Sequence, residues 1–595
     1  MTENKNIKYL LGNNAIAHAC LESGIDFVSG YPGTPSSEIV DTLRLVKDKW
    51  YYIEWSVNEK VAFENSLGAS WSGLRSVVTM KHVGLNVAAD TLLTSAYTGV
   101  KGGFVIVSAD DPFAHSSQNE QDTRMYAKFA QIPCLDPKNI QQAHDMMVSA
   151  FDISEKYSLP VIFRPTTRIC HSKSDVVLGQ HNPSTRTGKF IHDPSQYVVI
   201  PAHTRPLHTK LTLKQSDISQ YLVKSGYNSA NIRGSKAIIA SGISISYIEE
   251  ILPKDISLIQ IGAYPIDLTW LSEIVNQHSE ILVVEELMPI VEESVRQVSV
   301  NTVIHGKMDG SLPYEGEFSS GLILKAMSKL GFVDCEIIPK NPACSDVAVR
   351  PPILCPGCLH RSVFYAMKRV FKEGIFPSDI GCYTLGLQMG AVDTTICMGA
   401  SISIGSGISH ACPGVDVVST IGDSTFLHSG LNGLINSVYN NANQTIVILD
   451  NRITAMTGHQ PNPNTGLTAI GTTSPKISLE ALVRACGVSF VESVDPYDLP
   501  ALIDTFQTAK KTPGVKVIIA KQGCAVMLKR NGIKLPKYTV EPTKCVKCKA
   551  CIKYGCPAIE IDNEGCAKIT NLCNGCGVCS DICPAGAIVK EGARK

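Results

Sequence analysis

Short runs of consecutive apolar residues recur along the chain, separated by stretches with helical spacing. Within the first 190 residues, the runs at 26–30, 76–80 and 104–108 read as strands. Their hydrophobicity is continuous rather than alternating, which predicts strands buried on both faces in a parallel sheet with helices between them. From about 170 to 215 the pattern dissolves into His, Pro, Ser and Thr, with His181-Asn-Pro-Ser-Thr185 inside it, and reads as a linker. A second α/β unit follows, with strands at 236–240, 257–261 and 281–286, ending near residue 332. After a Pro-rich stretch at 338–352, a third α/β unit runs to about 535, with strands at 416–421, 445–450 and 515–520. The first and third units share a doubly wound pattern, so they read as distant structural relatives.

At 595 residues the chain exceeds what one core organises, and roughly three to five domains are expected. Formal net charge is zero and 18% of residues are charged. No like-charge block suggests a polyanionic ligand, so nucleic acid is not an expected partner. Residues 1–24 lack the pattern of a secretory signal, and no stretch is apolar for long enough to span a bilayer. The expectation is a cytoplasmic protein without a membrane partner. Its 21 cysteines then point to metal ligation rather than disulfides.

Eight of them form two runs near the C-terminus. Cys545, Cys548, Cys551 and Cys556-Pro557 are spaced x2, x2, x4, and Cys573, Cys576, Cys579 and Cys583-Pro584 are spaced x2, x2, x3. The second is the bacterial ferredoxin run, in which three thiolates wrap one [4Fe-4S] cluster and the fourth reaches the other. This assigns Cys545, Cys548, Cys551 and Cys583 to one cluster, and Cys556, Cys573, Cys576 and Cys579 to the second. The first run has one residue too many, an insertion that removes no ligand but can distort its cluster, shift its potential or favour a labile iron. Zinc is the alternative, but it needs neither a third cysteine at x2 nor the terminal Cys-Pro. Cys566, between the runs, reads as a spectator.

Gly422-Asp423-Ser424 follows one predicted strand, and Asp450-Asn451 ends the next. This puts hard oxygen ligands, Asp423 and Asn451, at the carboxyl ends of neighbouring parallel strands, where α/β ligand sites occur and where Mg2+ could bridge a diphosphate. The segment resembles the thiamine diphosphate signature, with Ser424 in place of its last glycine. Gly399, Ala400 and Ser401 resemble the same family and are expected to touch the cofactor. Cys355-Pro-Gly-Cys358-Leu-His360-Arg361 and Ser378-Asp-Ile-Gly-Cys382 resemble the opening of the diphosphate-binding domain of 2-oxoacid:ferredoxin oxidoreductases. Tyr31-Pro-Gly-Thr-Pro35 resembles that family's substrate loop, and Asn58-Glu59-Lys-Val-Ala62 its cofactor-activating glutamate segment. The order of units is most similar to the large α subunits of the indolepyruvate branch.

The resemblance implies an α/β fold of three thiamine-enzyme-like parallel-sheet domains followed by a small two-cluster ferredoxin-like α+β domain. Residues 1–190 would be the pyrimidine-binding domain, 191–340 a linker plus a transketolase C-terminal-like domain, 341–537 the diphosphate-binding domain and 538–595 the ferredoxin-like domain. It implies thiamine diphosphate, Mg2+ held by Asp423 and Asn451, and oxidative decarboxylation of an arylpyruvate with coenzyme A, electrons passing to ferredoxin. Pyruvate and 2-oxoglutarate stay open as substrates, as does an electron-carrier subunit with a decayed cofactor site. Glu59 would hold the aminopyrimidine ring, with Glu54 and Glu64 close enough to be confused with it. Thr34 and Arg124 would contact the substrate, with His82 and Asn86 as weaker candidates. Cys355, Cys358, Cys382 and Cys524 match the places where relatives hold a further cluster, with two of them far apart in sequence. The coenzyme A and contact elements missing from this chain imply a smaller β subunit in a heterotetramer.

Overall fold

The computed structural model describes residues 6–334, 348, 350–533 and 535–592. The chain divides into two compact units, Met1–Ser345 and Asp346–Lys595.

Unit 1 holds two sheets. The larger has seven strands in the order Ala263–Tyr264, Cys134–Leu135, Val161–Phe163, Phe104–Ala109, Ser76–Lys81, Phe27–Gly30, Tyr52–Trp55, parallel except for its first member. Every residue of Phe104–Ala109 is buried, as a strand with helices on both faces must be. The second sheet runs Val303–His305, Glu280–Val284, Lys236–Ser241, Ser257–Ile261, Asn228–Asn231, with only the last strand antiparallel. Because Ala263–Tyr264 leaves this second domain to pair with the first sheet, the two share one core.

The stretch expected as a linker is more ordered than its composition suggested. Lys173–Val177 pairs antiparallel with Ile7–Leu11, and Pro201–Lys224 is a helix. Its buried residues Leu207, Leu211, Ile218 and Leu222 form a narrow stripe among polar positions. That stripe is too sparse to stand out against the His, Thr and Pro of the first turns, although Pro201 at the helix start is favourable there.

In unit 2, Val418–Gly422, Thr445–Asp450, Lys516–Lys521 and Phe490–Val494 form a parallel sheet in that order. Single bridges, Ile375 to Val417 and Ser378 to Thr420, extend it by an irregular edge that leads into Asp379 and Cys382. The tail adds two small antiparallel pairs, Tyr538–Val540 with Ile588–Lys590 and Ile559–Ile561 with Ala567–Ile569. Two short helices, Ala550–Lys553 and Val578–Ile582, complete it. Polar contacts bind the tail to the α/β core: Arg361 Nη1 donates to the Gly555 carbonyl at 2.6 Å and Asn574 Nδ2 to the Pro356 carbonyl at 2.7 Å. The structure is thus α/β with parallel sheets and a ferredoxin-like end.

Candidate active site and cluster cavities

In unit 1, Asn58 caps the helix Glu59–Trp71 by accepting from the Val61 amide. Glu59 is thereby fixed as its first residue, and it is 6% exposed. Its carboxyl group lies against Gly84, where a Cβ would stand 2.6 Å from Glu59 Oε1, so the close approach requires glycine. Of the three glutamates that sequence could confuse, this is the buried one. Glu54 accepts from Tyr52, Ser56 and Asn65, and exposed Glu64 pairs with Lys60. Thr34 sits half-buried in the loop after Phe27–Gly30, where Gly33 is packed on Lys81. His82 is a buried structural side chain, its ring nitrogens 3.3 Å and 3.2 Å from the carbonyls of Ala109 and Asn119. Asn86 is exposed and accepts from Tyr126.

Arg124 departs from the carboxylate-clamp expectation. It is 1% exposed and its guanidinium is enclosed by Asp122, Glu285, Ser241, Tyr264 and the carbonyls of Glu286 and Met288. All its donors are committed within unit 1, so it ties the first domain to the second. A buried ion pair of this kind is stable only with such complete pairing.

In unit 2, Asp423 follows the strand Val418–Gly422 and is 2% exposed. Its Oδ2 accepts from Asn462 Nδ2 at 3.1 Å and Asn464 Nδ2 at 3.3 Å. Asn464 Nδ2 also donates to Asp450 Oδ1 at 2.7 Å, linking the ends of two adjacent strands. Burial, and then the neighbouring Asp450 charge, push the Asp423 carboxyl up to about 7. Two buried carboxylates with amide oxygens beside them are a hard donor set of the kind Mg2+ takes, and the residues present therefore fit that cation. Asn451 is half-buried, and its Oδ1 accepts from the Ile453 amide at 3.0 Å. Ser424 needs none of glycine's conformational freedom, because its φ is not positive. Its Oγ accepts from Thr454 Oγ1 at 2.9 Å. Gly422 is required by a neighbour: a Cβ there would lie 2.6 Å from the Tyr383 ring.

Gly399 caps the helix Ala400–Ala411 with φ 88°, and a Cβ would collide with Ser429. The amides of Gly399 and Ser401 donate to Asp379 at 2.8 Å and 3.0 Å. This helix start therefore has two of its donors taken by a carboxylate of its own unit. Ser401 Oγ is buried with no partner among the described residues.

Sequence reasoning missed Asp379, Asn462 and Asn464. The last two lie in Gln460-Pro-Asn462-Pro-Asn464, whose alternating Pro and Asn mark only a loop.

The cysteines surround three hollows. The first is lined by Cys545, Cys548, Cys551 and Cys583, and the second by Cys556, Cys573, Cys576 and Cys579. Each run thus lends its fourth cysteine to the other hollow, as cluster ligation would need. The third, the roomiest of the three, is lined by Cys355, Cys358, Cys382 and Cys524 together with Asn451, His360, Met456 and His459. Among the described residues, no three His, Cys, Asp or Glu side chains close on one point as for a single metal ion. Four soft thiols spread around a hollow fit a cubane, which carries its own sulfides. His360 is 2% exposed with neither ring nitrogen partnered among the described residues. Burial holds it down to about 4, and leaving such a group unpaired costs about 1–3 kcal/mol.

The hollows share elements. Gly357, between Cys355 and Cys358 of the third, also lines the second, where a Cβ on it would stand 3.8 Å from Cys576 Cβ. The helix Ala550–Lys553 carries Cys551 of the first and leads to Cys556 of the second.

Three family models match the chain: the thiamine-diphosphate-binding domain of pyruvate flavodoxin/ferredoxin oxidoreductases at residues 18–210, the C-terminal binding domain of thiamine pyrophosphate enzymes at 379–520, and a 4Fe-4S binding domain at 567–589. The indolepyruvate oxidoreductase subunit IorA of Thermococcus kodakarensis is 44% identical, covering 98% of this chain and 97% of its own. That of Archaeoglobus fulgidus is 43% identical with the same coverage. A solved 2-oxoglutarate:ferredoxin oxidoreductase from Magnetococcus marinus matches 55% of this chain and 66% of its own at 16% identity, with a TM-score of 0.45. With identity above 40% sustained over nearly its whole length, the chain belongs to the family of the indolepyruvate oxidoreductase IorA subunits, thiamine diphosphate-dependent 2-oxoacid:ferredoxin oxidoreductases.

Proposed function

We propose that this chain oxidatively decarboxylates arylpyruvates, indolepyruvate and phenylpyruvate, with coenzyme A to aryl-acetyl-CoA, passing the electrons singly to ferredoxin. The observation that carries the reading is the third hollow, which four cysteines share with Asn451. A redox group held there would lie against the diphosphate end of the cofactor site. The arylpyruvate preference rests on the names of the relatives.

When bound, thiamine diphosphate supplies the carbon nucleophile and electron sink for decarboxylation, and iron–sulfur clusters supply one-electron acceptance. The residues do the rest. Asp423 and Asn451 would hold Mg2+, which would supply positive charge to a diphosphate, and Asn462 and Asn464 orient the Asp423 carboxylate by donating to its Oδ2. Gly399, Ala400, Ser401, Gly422 and Ser424 shape the surrounding wall, with Asp379 fixing the helix start. Glu59, buried against Gly84, would hydrogen-bond the aminopyrimidine ring. Thr34 donates to the substrate. Cys545, Cys548, Cys551 and Cys583 would hold one [4Fe-4S] cluster, Cys556, Cys573, Cys576 and Cys579 the second, and Cys355, Cys358, Cys382 and Cys524 a third. Shared elements connect the three in series, which supports an electron route from the third hollow through the second to the first.

The partner in this reading is a smaller β subunit, in a cytoplasmic heterotetramer. Among the described residues no helix is long and apolar enough to cross a membrane. The test is bleaching of the iron–sulfur absorbance in the anaerobic heteromer on adding indolepyruvate, phenylpyruvate, pyruvate or 2-oxoglutarate, each with coenzyme A. Arylpyruvates are expected to bleach it at least about tenfold faster, a difference of about 1.4 kcal/mol in barrier. Faster bleaching by pyruvate or 2-oxoglutarate would refute the substrate assignment.

A further inference from the structure

The two loops that wrap the tail hollows share one backbone path. In each, the residue just before the second cysteine and the one just after it have positive φ: 53° and 60° at Lys547 and Lys549, 79° and 82° at Gly575 and Gly577. Left-handed backbone favours glycine, because an L side chain crowds the following carbonyl. The second loop has glycine at both positions. The first has lysine at both, so its strain is kept along with its charge.

Those lysines face solvent. Val546, Lys547, Cys548 and Lys549 are all exposed, Val546 at 65%. From 542 to 559 there are four lysines, Lys544, Lys547, Lys549 and Lys553, and no carboxylate. Lys544 pairs with Glu541, and Lys547 Nζ donates to the Glu564 carbonyl at 2.7 Å. Among the described residues, Lys547, Lys549 and Lys553 have no ion-pair partner. The second loop is different in kind. Residues 571–587 hold a single acid, Asp581, and no Lys or Arg, and the loop is pinned inward by the contact of Asn574 with Pro356.

We propose that the lysine-rimmed face around exposed Cys548 is where a small acidic one-electron carrier protein docks and where electrons leave the chain. This rests on the electron route proposed above. An exposed apolar residue beside lysines that have no ion-pair partner among the described residues is suited to a brief, electrostatically steered encounter. At each docking one electron leaves the group at the first hollow and the carrier is reduced by one. No proton moves, and the two electrons of each 2-oxoacid need two dockings.

The discriminating variant is Lys547→Gly combined with Lys549→Gly, because glycine suits both backbone positions and the chain should still fold and hold iron. The assay uses the complete heteromer with a small acidic two-cluster ferredoxin as probe. At low ionic strength kcat/KM for the ferredoxin is expected to fall at least about fivefold, through KM with kcat kept, and by less than about twofold in high salt, where exposed charges are screened. Substrate-driven bleaching without ferredoxin should match wild type. A kcat/KM within about twofold of wild type at low salt would overturn the proposal. So would loss of the smaller subunit from the variant on gel filtration, since that subunit would then be the occupant of the face. If wild type itself does not bleach, the underlying electron route fails instead.

Discussion

The two halves of unit 2 gather their functional side chains by opposite means. In the tail, eight of the nine cysteines within residues 545–583 line the two hollows, which form from neighbouring turns. In the α/β half, the third hollow draws Cys355 and Cys358 from one turn, Cys382 from the irregular sheet edge and Cys524 from the loop after Lys516–Lys521. Local covalent spacing sets the first kind, and sheet register sets the second. A lesion in the α/β half should therefore disable its own site and leave the tail intact.

The largest such effect is expected for Cys358→Ser. Iron should fall from about twelve to about eight atoms per chain, the eight of the tail remaining. Bleaching by substrate should be lost although dithionite still reduces the remaining clusters. Iron and acid-labile sulfide analysis with absorbance spectroscopy measures both. Iron that starts near eight in wild type would remove the third cluster and, with it, the contrast between the halves.

This contrast also explains what was legible in the sequence. The cysteine runs stood out because their spacing is local, and the nine strands read as continuous apolar runs are present within a few residues at their ends, whereas Tyr52–Trp55, Val161–Phe163, Asn228–Asn231, Val303–His305 and Phe490–Val494 were not singled out. Thr445–Asp450 is buried throughout, as its unbroken apolar run implied. Glu59 could be singled out only by resemblance, since nothing in the sequence says that Gly84 will be packed on it. Arg124 misled because a lone arginine near a polar loop carries no sign of the four elements that enclose it. The helix Pro201–Lys224 was hidden because only one narrow stripe of it is buried. Asp379, Asn462 and Asn464 were silent for a single reason: each acts on a backbone or carboxylate brought near by the sheet, at separations of 20 to 41 residues.

A smaller effect sharpens the same comparison. Asn464 touches both Asp423 and Asp450, so Asn464→Ala removes one hydrogen bond from each, leaving Asp423 to Asn462 and Asp450 to the Arg452 amide, and unfixes their relation. Outer partners of metal ligands are commonly worth about 10–100-fold in metal affinity. Mg2+-dependent binding of thiamine diphosphate, measured by calorimetry, should weaken in that range while the tail iron is unchanged. A loss of tail iron would mean that the halves are not independent.

The smallest expected effect concerns the one departure from the thiamine signature. If Ser424 stood where glycine is sterically required, restoring glycine would improve the site. The structure argues otherwise, because the Ser424 backbone is not left-handed and its hydroxyl bonds Thr454. Ser424→Gly should then remove one hydrogen bond of about 0.5–1.5 kcal/mol and loosen the helix start. The melting temperature should fall by about 1–6 °C. Cofactor affinity should stay within about threefold, or about 0.7 kcal/mol, because in the proposed site Asp423 and Asn451, not Ser424, would hold the cation. Tighter binding or a higher melting temperature in the glycine variant would show that the serine is a strained substitution, and that this half of the unit is less finished than the tail. An affinity loss beyond about tenfold would instead make the hydroxyl part of the hold on the cofactor, and add one more residue to the set assembled by register rather than by spacing.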